Sequence, residues 1–215
     1  PATIASVLLY GFYPLCMMIL CVGTCVFSEW LFNVIGKRFQ SVGDLSAVVT
    51  GMILSLNLPP VVPFYVPIVG GFFAIVIVKM LFGGIGKNFA NPAITARIFL
   101  LLCWTGVMTS FVSPITLNNG ANLFSFFGHA VDIDISAITS ATPMAGVKSS
   151  IANGSNPAAG LNALDMFLGR IGGSAGEVST LAILIGGVYL LVRRVIDWRI
   201  PALYIGSVVV FTTKF

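Results

Sequence analysis

The chain has 215 residues, of which 57% are hydrophobic and 8% are charged, with a formal net charge of +4 and a mean hydropathy of +1.01. A soluble domain carries about 25% charged residues to cover its surface, so this composition excludes a soluble fold and requires lipid around much of the chain. The small, scattered positive charge also excludes a nucleic-acid-binding surface.

Long apolar stretches recur along the sequence, and each approaches the roughly 20 residues that a transmembrane helix needs. They must be helical, because a helix satisfies its own backbone polar groups inside the bilayer. Pro59 and Pro60 end one stretch, since proline cannot continue a helix, and the glycine-rich turn 83–86 ends the next. The predicted spans, in chain order, are 1–9, 14–32, 43–58, 61–80, 92–112, 177–195 and one that starts at 201.

The predicted fold is an all-α polytopic integral membrane protein, a transmembrane helical bundle with a long external loop. Residues 1–112 form the N-terminal transmembrane helices, 113–176 the external loop region, and 177–215 the start of a C-terminal transmembrane repeat. The chain begins without methionine inside one apolar run and ends inside another. We therefore expect a longer protein beyond both ends.

Lysine and arginine predict the orientation, because they concentrate in cytoplasmic loops. If the span 14–32 ends in the cytoplasm, the interval 113–176 lies outside and carries only Lys148 and Arg170 as basic residues. Lys214, near the end of the chain, is the one basic residue that does not fit. The residues placed at the cytoplasmic face are Lys37, Arg38, Lys79, Lys87, Arg97, Arg193, Arg194 and Arg199.

A short internal similarity predicts an inverted repeat. Gly43-Asp44-Leu45-Ser46 opens the third span, and Gly176-Glu177-Val178-Ser179 opens the sixth. Both sequences place an acid where the helix dipole favours it and a serine that can cap the helix. Three predicted spans separate the two starts, so the copies enter from opposite faces, as in an inverted-topology repeat. The alternative is that both are ordinary helix starts.

The cysteines and the histidine of the sequence do not form the pattern of a metal site. Each of the four cysteines, Cys16, Cys21, Cys25 and Cys103, lies in an apolar run. Buried cysteine behaves as a small hydrophobe, whereas zinc and iron–sulfur sites usually have closer Cys-x-x-Cys pairs. His129 is the only histidine and cannot form a metal site or a catalytic triad by itself. We therefore predict no metal ligands and no catalytic side chain.

The interval 113–176 is the most informative part of the sequence. Loops longer than about 15 residues are usually functional or disordered, and this one is rich in small hydroxyl and amide side chains. It contains Ser140-Ala141-Thr142-Pro143, which resembles the S/T-x-A-T-P flavinylation motif of the RnfD/NqrB family of membrane subunits. An aspartate often lies six residues before the threonine in related motifs. That position is Ser136 here, with Asp134 two residues further upstream, so the role of the acid is left open.

The resemblance to this family extends over nearly the whole chain. Further segments match the family in order, at helix starts and at a glycine-rich turn. They are Gly43-Asp44-Leu45-Ser46-Ala47 through Leu58-Pro59-Pro60, Gly70-Gly71-Phe72-Phe73-Ala74-Ile75 through Lys79, Leu81-Phe82-Gly83-Gly84-Ile85-Gly86-Lys87-Asn88 through Asn91-Pro92-Ala93, and Gly172-Gly173-Ser174-Ala175-Gly176-Glu177-Val178-Ser179.

The resemblance implies a flavin-carrying electron-transfer subunit of a redox-driven Na⁺ or H⁺ pump in the bacterial cytoplasmic membrane, most like RnfD. It implies that FMN is attached covalently to Thr142 by a phosphoester bond and that Ser140 and Ala141 shape the attachment loop. The resemblance is also compatible with a bound riboflavin. The implied partners are a flavin transferase, membrane lipid, and Rnf-type membrane and peripheral subunits with flavin and iron–sulfur centres. The protein is then part of an ion-translocating oxidoreductase and is inactive alone.

Two alternative functions remain open. One is the NqrB-type subunit of the Na⁺-translocating NADH:quinone oxidoreductase, to which the resemblance also extends. The other is a flavin-free channel or transporter built from inverted repeats, because fold does not determine function. Asp44, Glu177 and Lys79 are all expected at the membrane interfaces. The ion path is therefore expected in partner subunits or between them.

Overall fold

The computed structural model describes residues 1–37, 39–112, 163–169 and 171–213. In this part of the chain the regular elements are helices and no β-strand occurs, which confirms the predicted helical class. The helices are α1 Ala2–Tyr10, α2 Tyr13–Ile35, α3 Ser46–Leu56, α4 Tyr65–Phe72, α5 Pro92–Cys103, α6 Thr105–Met108, α7 Ala163–Leu168, α8 Thr180–Val192 and α9 Arg199–Thr213. A 3-10 turn, Val42–Asp44, precedes α3, and a π-helical segment, Phe73–Met80, continues α4.

Helix α2 is the long helix of the described bundle. With 23 residues it is, by length and composition, the one described helix that could cross a membrane by itself. In the described residues, five further apolar helices have 10–17 residues when α4 and the π segment are taken together. Helix α3, for example, has 11 residues and is about 16 Å long at 1.5 Å per residue, where the sequence predicted a complete span at 43–58.

Other predicted boundaries were also wrong, for local reasons. Helix α4 begins at Tyr65 instead of residue 61, because the prolines at 60 and 63 keep the preceding residues out of the helical region. The predicted span 92–112 is interrupted at Trp104, where φ is −133° and ψ is 59°. Helix α7 lies inside the interval 113–176, which was predicted to be loop.

The core lies where α2 packs against α3, α4 and the π segment. Two glycines allow the close approach. A Cβ atom on Gly51 would lie 2.8 Å from the Val22 Cα atom, and one on Gly71 would lie 3.2 Å from the Cys25 sulfur. The outward faces of α2, α5, α8 and α9 carry many exposed large hydrophobic side chains, among them Ile19, Leu102, Val192 and Leu203. Helices that are apolar on both faces are typical of membrane bundles.

The start of the C-terminal part is joined to the end of α3. The Ala175 amide donates to the Leu58 carbonyl at 3.0 Å, and the Gly176 amide donates to the Leu56 carbonyl at 2.8 Å. The segment before α8 therefore lies beside the C-terminal end of α3. If the two predicted repeat copies enter the membrane from opposite faces, the start of the second copy must lie near the end of α3, as it does here. The repeat itself stays a prediction.

Candidate functional site

The residues predicted to carry the flavin, Thr142, Ser140 and Ala141, lie outside the described residues. The same is true of His129 and of the nearby acid Asp134. The flavin site therefore stays a prediction from the sequence motif. The structure adds polar sites in the helical bundle.

A buried ion pair joins α2 to the π segment. The Lys79 Nζ atom lies 2.8 Å from Glu29 Oε2, and the two side chains are 1% and 0% exposed. The residues are 50 positions apart in the sequence. This is the only salt bridge in the part of the chain that the structure describes. A buried charge in an apolar bundle is costly unless it is paired, so the pairing explains why both can be enclosed.

Hydroxyl groups complete the coordination of both charges. The Ser41 hydroxyl donates to Glu29 Oε1 at 2.5 Å and accepts from the Asn33 amide at 3.1 Å. The Lys79 ammonium also donates to the Ser46 hydroxyl at 2.5 Å, which in turn donates to the Asp44 carboxylate. The polar cluster therefore consists of Asn33, Ser41, Glu29, Lys79, Ser46 and Asp44. Such a network is stable because each of its buried charges has a partner.

Asp44 forms the exposed end of this cluster. Burial acts to raise the pKa of its carboxyl group, but hydrogen bonds from the Ser46 hydroxyl and amide and the positive charge of Lys79 outweigh that effect. The pKa of Asp44 therefore lies below its ordinary value. A carboxylate here remains ionised at neutral pH and faces the buried ammonium through Ser46.

The predicted roles of the two helix starts were half right. Ser179 caps α8 by accepting from the Ala182 amide at 3.3 Å, as predicted. Ser46 does not cap α3. It is the first residue of that helix, and the Asp44 carboxylate accepts from its backbone amide at 2.8 Å. The Ser46 hydroxyl is thereby left to bind Lys79.

Two predictions about charged residues were incomplete. Lys79 was placed at the membrane interface as an orientation marker, whereas the structure buries it in the ion pair. Glu29 was not singled out. The available signal was an acid within the apolar run 14–32, since an ionisable residue inside a transmembrane segment marks a functional site by default.

Arg97, which was predicted at the cytoplasmic face, contacts the C-terminal end of α3. It is half-buried in α5, and its guanidinium donates to the Asn57 side-chain oxygen at 3.1 Å. Asn57 is the C-terminal cap of α3, at the opposite end of that helix from Ser46. The negative end of a helix dipole favours a cation, which explains why the long arginine side chain extends there.

The glycine-rich turn after the π segment folds back onto Lys79. Gly83, Gly84 and Gly86 have φ angles of 99°, 98° and 84°, which favour glycine because it has no Cβ atom. The Gly84 amide donates to the Lys79 carbonyl at 3.0 Å. At the end of the turn, the Asn91 side chain accepts from the Ala93 amide at 3.0 Å and caps α5.

The cysteines in the structure are free thiols. Cys21 and Cys25 are buried, and the Cys25 sulfur lies 3.8 Å from the Gly71 carbonyl, to which it donates. Cys16 is partly buried and Cys103 is exposed. In the described ranges, no three histidine, cysteine or acidic side chains are grouped as metal ligands.

Comparison with known proteins gives a consistent result. Residues 1–215 match the NQR2, RnfD, RnfE family. The D subunit of the Na(+)-translocating ferredoxin:NAD(+) oxidoreductase complex of Acetobacterium woodii is 39% identical over 213 residues, which cover 98% of this chain and 60% of the relative. The D subunit of an ion-translocating oxidoreductase complex from Halorhodospira halophila is 36% identical over 100% of this chain and 63% of its own length. The chain therefore spans about three fifths of these relatives.

A third relative is the D subunit of the proton-translocating ferredoxin:NAD(+) oxidoreductase complex of Clostridium ljungdahlii, which is 33% identical over 100% of this chain and 61% of its own length. The names of the three relatives differ in the ion, which is sodium in one and the proton in another. Similarity to these proteins therefore does not choose between the two ions.

Proposed function

This chain belongs to the NQR2, RnfD, RnfE family, and from that membership we propose that it is a flavin-carrying electron-transfer subunit of an Rnf-type, redox-driven ion pump. The family that the sequence motifs predicted is thereby confirmed. The similar proteins are named as D subunits of ion-translocating oxidoreductase complexes, which is the class of assembly proposed for this chain.

The observation that carries the flavin proposal is the Ser140-Ala141-Thr142-Pro143 motif in a chain of this family. Thr142 supplies the hydroxyl group that a phosphoester bond to FMN requires, and Ser140 and Ala141 shape its loop. These residues lie outside the described part of the structure, so the fit rests on the chemistry of the side chains. FMN, once attached, would supply the one- and two-electron chemistry, while the protein would supply its position and electrostatic environment.

The proposed location is the bacterial cytoplasmic membrane, which the chain crosses several times. The exposed apolar faces of the helices support a lipid-facing bundle. In this arrangement the interval 113–176, and with it the flavin, lies on the external side. Electrons from cytoplasmic carriers must then cross roughly 30 Å of hydrocarbon, a distance that a tethered flavin does not span by swinging.

Other subunits are therefore part of the proposal. They would carry the additional flavin and iron–sulfur centres that bridge the membrane, and a separate flavin transferase would attach FMN. The cysteines of this chain are isolated or packed in the apolar core, which supports placing the bridging clusters in partners. The protein is proposed to be inactive alone.

Two other functions stay open as alternatives. The NqrB-type subunit of a Na⁺-translocating NADH:quinone oxidoreductase belongs to the same family and also carries a flavin. A flavin-free channel or transporter would share the helical bundle but would have no covalent cofactor. Covalent flavin therefore separates the proposed function from the channel.

Denaturing gel electrophoresis under ultraviolet light tests the proposal. The full-length protein, expressed with its flavin transferase, should give a fluorescent band that survives denaturation because the bond is covalent. Thr142→Ala should abolish the band and Ser140→Ala should weaken it. Ser149→Ala is the matched control, since it removes a hydroxyl group of the same interval outside the motif and should leave the band unchanged.

A fluorescent band that persists in Thr142→Ala would place the attachment elsewhere. Absence of any band in the unaltered protein, with the transferase shown to be active on another substrate, would favour the flavin-free channel. Mass spectrometry of the fluorescent peptide would identify the modified residue in the first case.

A further inference from the structure

The π-helical segment Phe73–Met80 is the least ordinary backbone element of the described bundle. Its hydrogen bonding extends past its end, because the Leu81 amide donates to the Val76 carbonyl at 3.1 Å and the Gly84 amide donates to the Lys79 carbonyl at 3.0 Å. Both bonds join residues five apart. π-helical hydrogen bonding mostly occurs as single-turn bulges and is frequent at functional sites, so eight residues of it require a local explanation.

The segment decides which way Lys79 faces. An α-helix advances about 100° per residue, and a π turn takes roughly one residue more to complete the same rotation. At Lys79, five residues after Ala74, the side-chain directions in the two registers therefore differ by roughly a quarter of a turn around the helix axis. In the π register Ala74, Ile75, Val78 and Lys79 are all buried on one face. An α register would turn Lys79 to the edge of that face, away from Glu29.

The two ends of the segment are held differently. At its start the Phe73 ring stacks on the Phe99 ring of α5, with centroids 4.0 Å apart and planes at 1°. At its end Lys79 is held by charge, through Glu29 and Ser46. The turn that follows has three glycines with positive φ angles, which can absorb a one-residue change of register. Rewinding would therefore leave Phe73 in place and move Lys79.

We propose that Phe73–Met80 is a two-state register switch: the π state holds Lys79 against Glu29 and Ser46, and the α state turns Lys79 out of that contact. The negative charge of Glu29 selects the π state, because it supplies the attraction that offsets the unusual backbone. Neutralising Glu29 shifts the segment toward the α state. This inference does not depend on the flavin.

Pulsed electron paramagnetic resonance on the full-length protein in nanodiscs tests the switch. Spin labels on genetically encoded keto amino acids at Phe27 and Leu81, both exposed in the structure, leave the native cysteines in place. The unaltered protein should give one distance. Glu29→Gln should add a second population displaced by up to roughly 8 Å, the chord of a quarter-turn at the outer radius of a helix.

Deletion of Ile77 provides the decisive control. Removing one residue makes the segment α-helical while Lys79 keeps its direction, so Glu29→Gln combined with this deletion should return to a single distance. Glu177→Gln, which neutralises an exposed acid whose partner is Ser174, should match the unaltered protein. If Glu29→Gln does not fold, the double variant Glu29→Gln with Lys79→Met removes the same attraction without leaving a buried unpaired charge and should show the same second distance.

Two results would overturn the proposal. One is a single, unshifted distance in every folded variant that lacks the charge of Glu29 or Lys79. The other is a second distance that survives deletion of Ile77, because the movement would then come from something other than rewinding of the π segment.

Discussion

At the residue scale, the main feature of the molecule is a pair of opposite charges enclosed by apolar helices. Removing two charges from water costs several kcal/mol for each ion, and their attraction offsets this only when other hydrogen bonds satisfy the remaining atoms. Ser41 binds one carboxylate oxygen of Glu29, and Ser46 shares the ammonium of Lys79. Loss of one partner is therefore expected to be more damaging than loss of both.

Substitution of the pair tests this expectation. Lys79→Met should lower the free energy of unfolding by about 3–5 kcal/mol, because it leaves the Glu29 carboxylate buried and unpaired. Adding Glu29→Gln should recover more than half of that loss, since a neutral amide still accepts from Ser41. Lys87→Met, at an exposed lysine, should change stability by less than about 0.5 kcal/mol.

The measurement is reversible unfolding of the purified full-length protein in mixed micelles. If Lys79→Met is no more destabilising than Lys87→Met, the ion pair does not stabilise the bundle. If the double variant is less stable than Lys79→Met, the hydrogen bonds of the cluster matter more than its charges.

At the element scale, close contacts between helix backbones determine how the short helices are held. Gly51 brings α3 against α2, and Gly71 does the same for α4. Without a strong hydrophobic driving force in lipid, small residues at helix interfaces provide the packing. The short helix α3 is therefore fixed by its contact with α2 and by the polar groups at its two ends, Ser46 and Asn57.

A pair of glycine substitutions tests this packing. The Cβ atom of Gly51→Ala would lie 2.8 Å from a backbone atom of Val22, so the helices must separate, at a cost of about 1–3 kcal/mol. Gly23→Ala, in the same helix pair, has no atom within 4 Å of its new Cβ. It should leave stability unchanged or raise it by up to about 1 kcal/mol.

The same unfolding assay decides between the two glycines. Equal effects of Gly51→Ala and Gly23→Ala would mean that helix propensity, rather than close contact, controls stability here. A larger loss at Gly51 alone supports the contact between α2 and α3.

At the scale of the whole molecule, the orientation in the membrane stays a prediction from the positions of the basic residues. Lys37 follows α2, Arg193 and Arg194 follow α8, and Arg199 begins α9; all four are exposed. The segment before α8 lies beside the end of α3. With Lys79 buried and Arg97 bound to Asn57, the predicted orientation rests on these exposed residues and on Lys87.

Thiol labelling in intact cells tests the topology of the full-length protein. A cysteine placed at Asn153 should react with an impermeant reagent added outside, because the interval 113–176 is predicted to be external. One placed at Gln40 should be protected until the membrane is opened. Both belong in a background in which Cys16, Cys21, Cys25 and Cys103 are replaced, and that background alone is the unlabelled control. The reverse pattern would place the flavin on the cytoplasmic side.

The sequence by itself determined the properties that depend on composition and local pattern. Its 57% hydrophobic and 8% charged residues predicted a helical membrane class, and ordered motifs predicted the family that residues 1–215 match. The Thr142 site also comes from the sequence alone and remains to be tested. The capping role of Ser179 was predictable because a helix cap involves residues only a few positions apart.

Tertiary structure alone decided the contacts between distant residues. No local pattern pairs Glu29 with Lys79 across 50 positions, or joins Arg97 to Asn57 across 40. The direction of Lys79 depends on the π register. A π turn has roughly one residue more than the α-helical turn on which periodicity arguments rest. Burial of a charge becomes tolerable only when its partner is in place, so the polar cluster exists in the packed bundle and cannot be inferred from either helix separately.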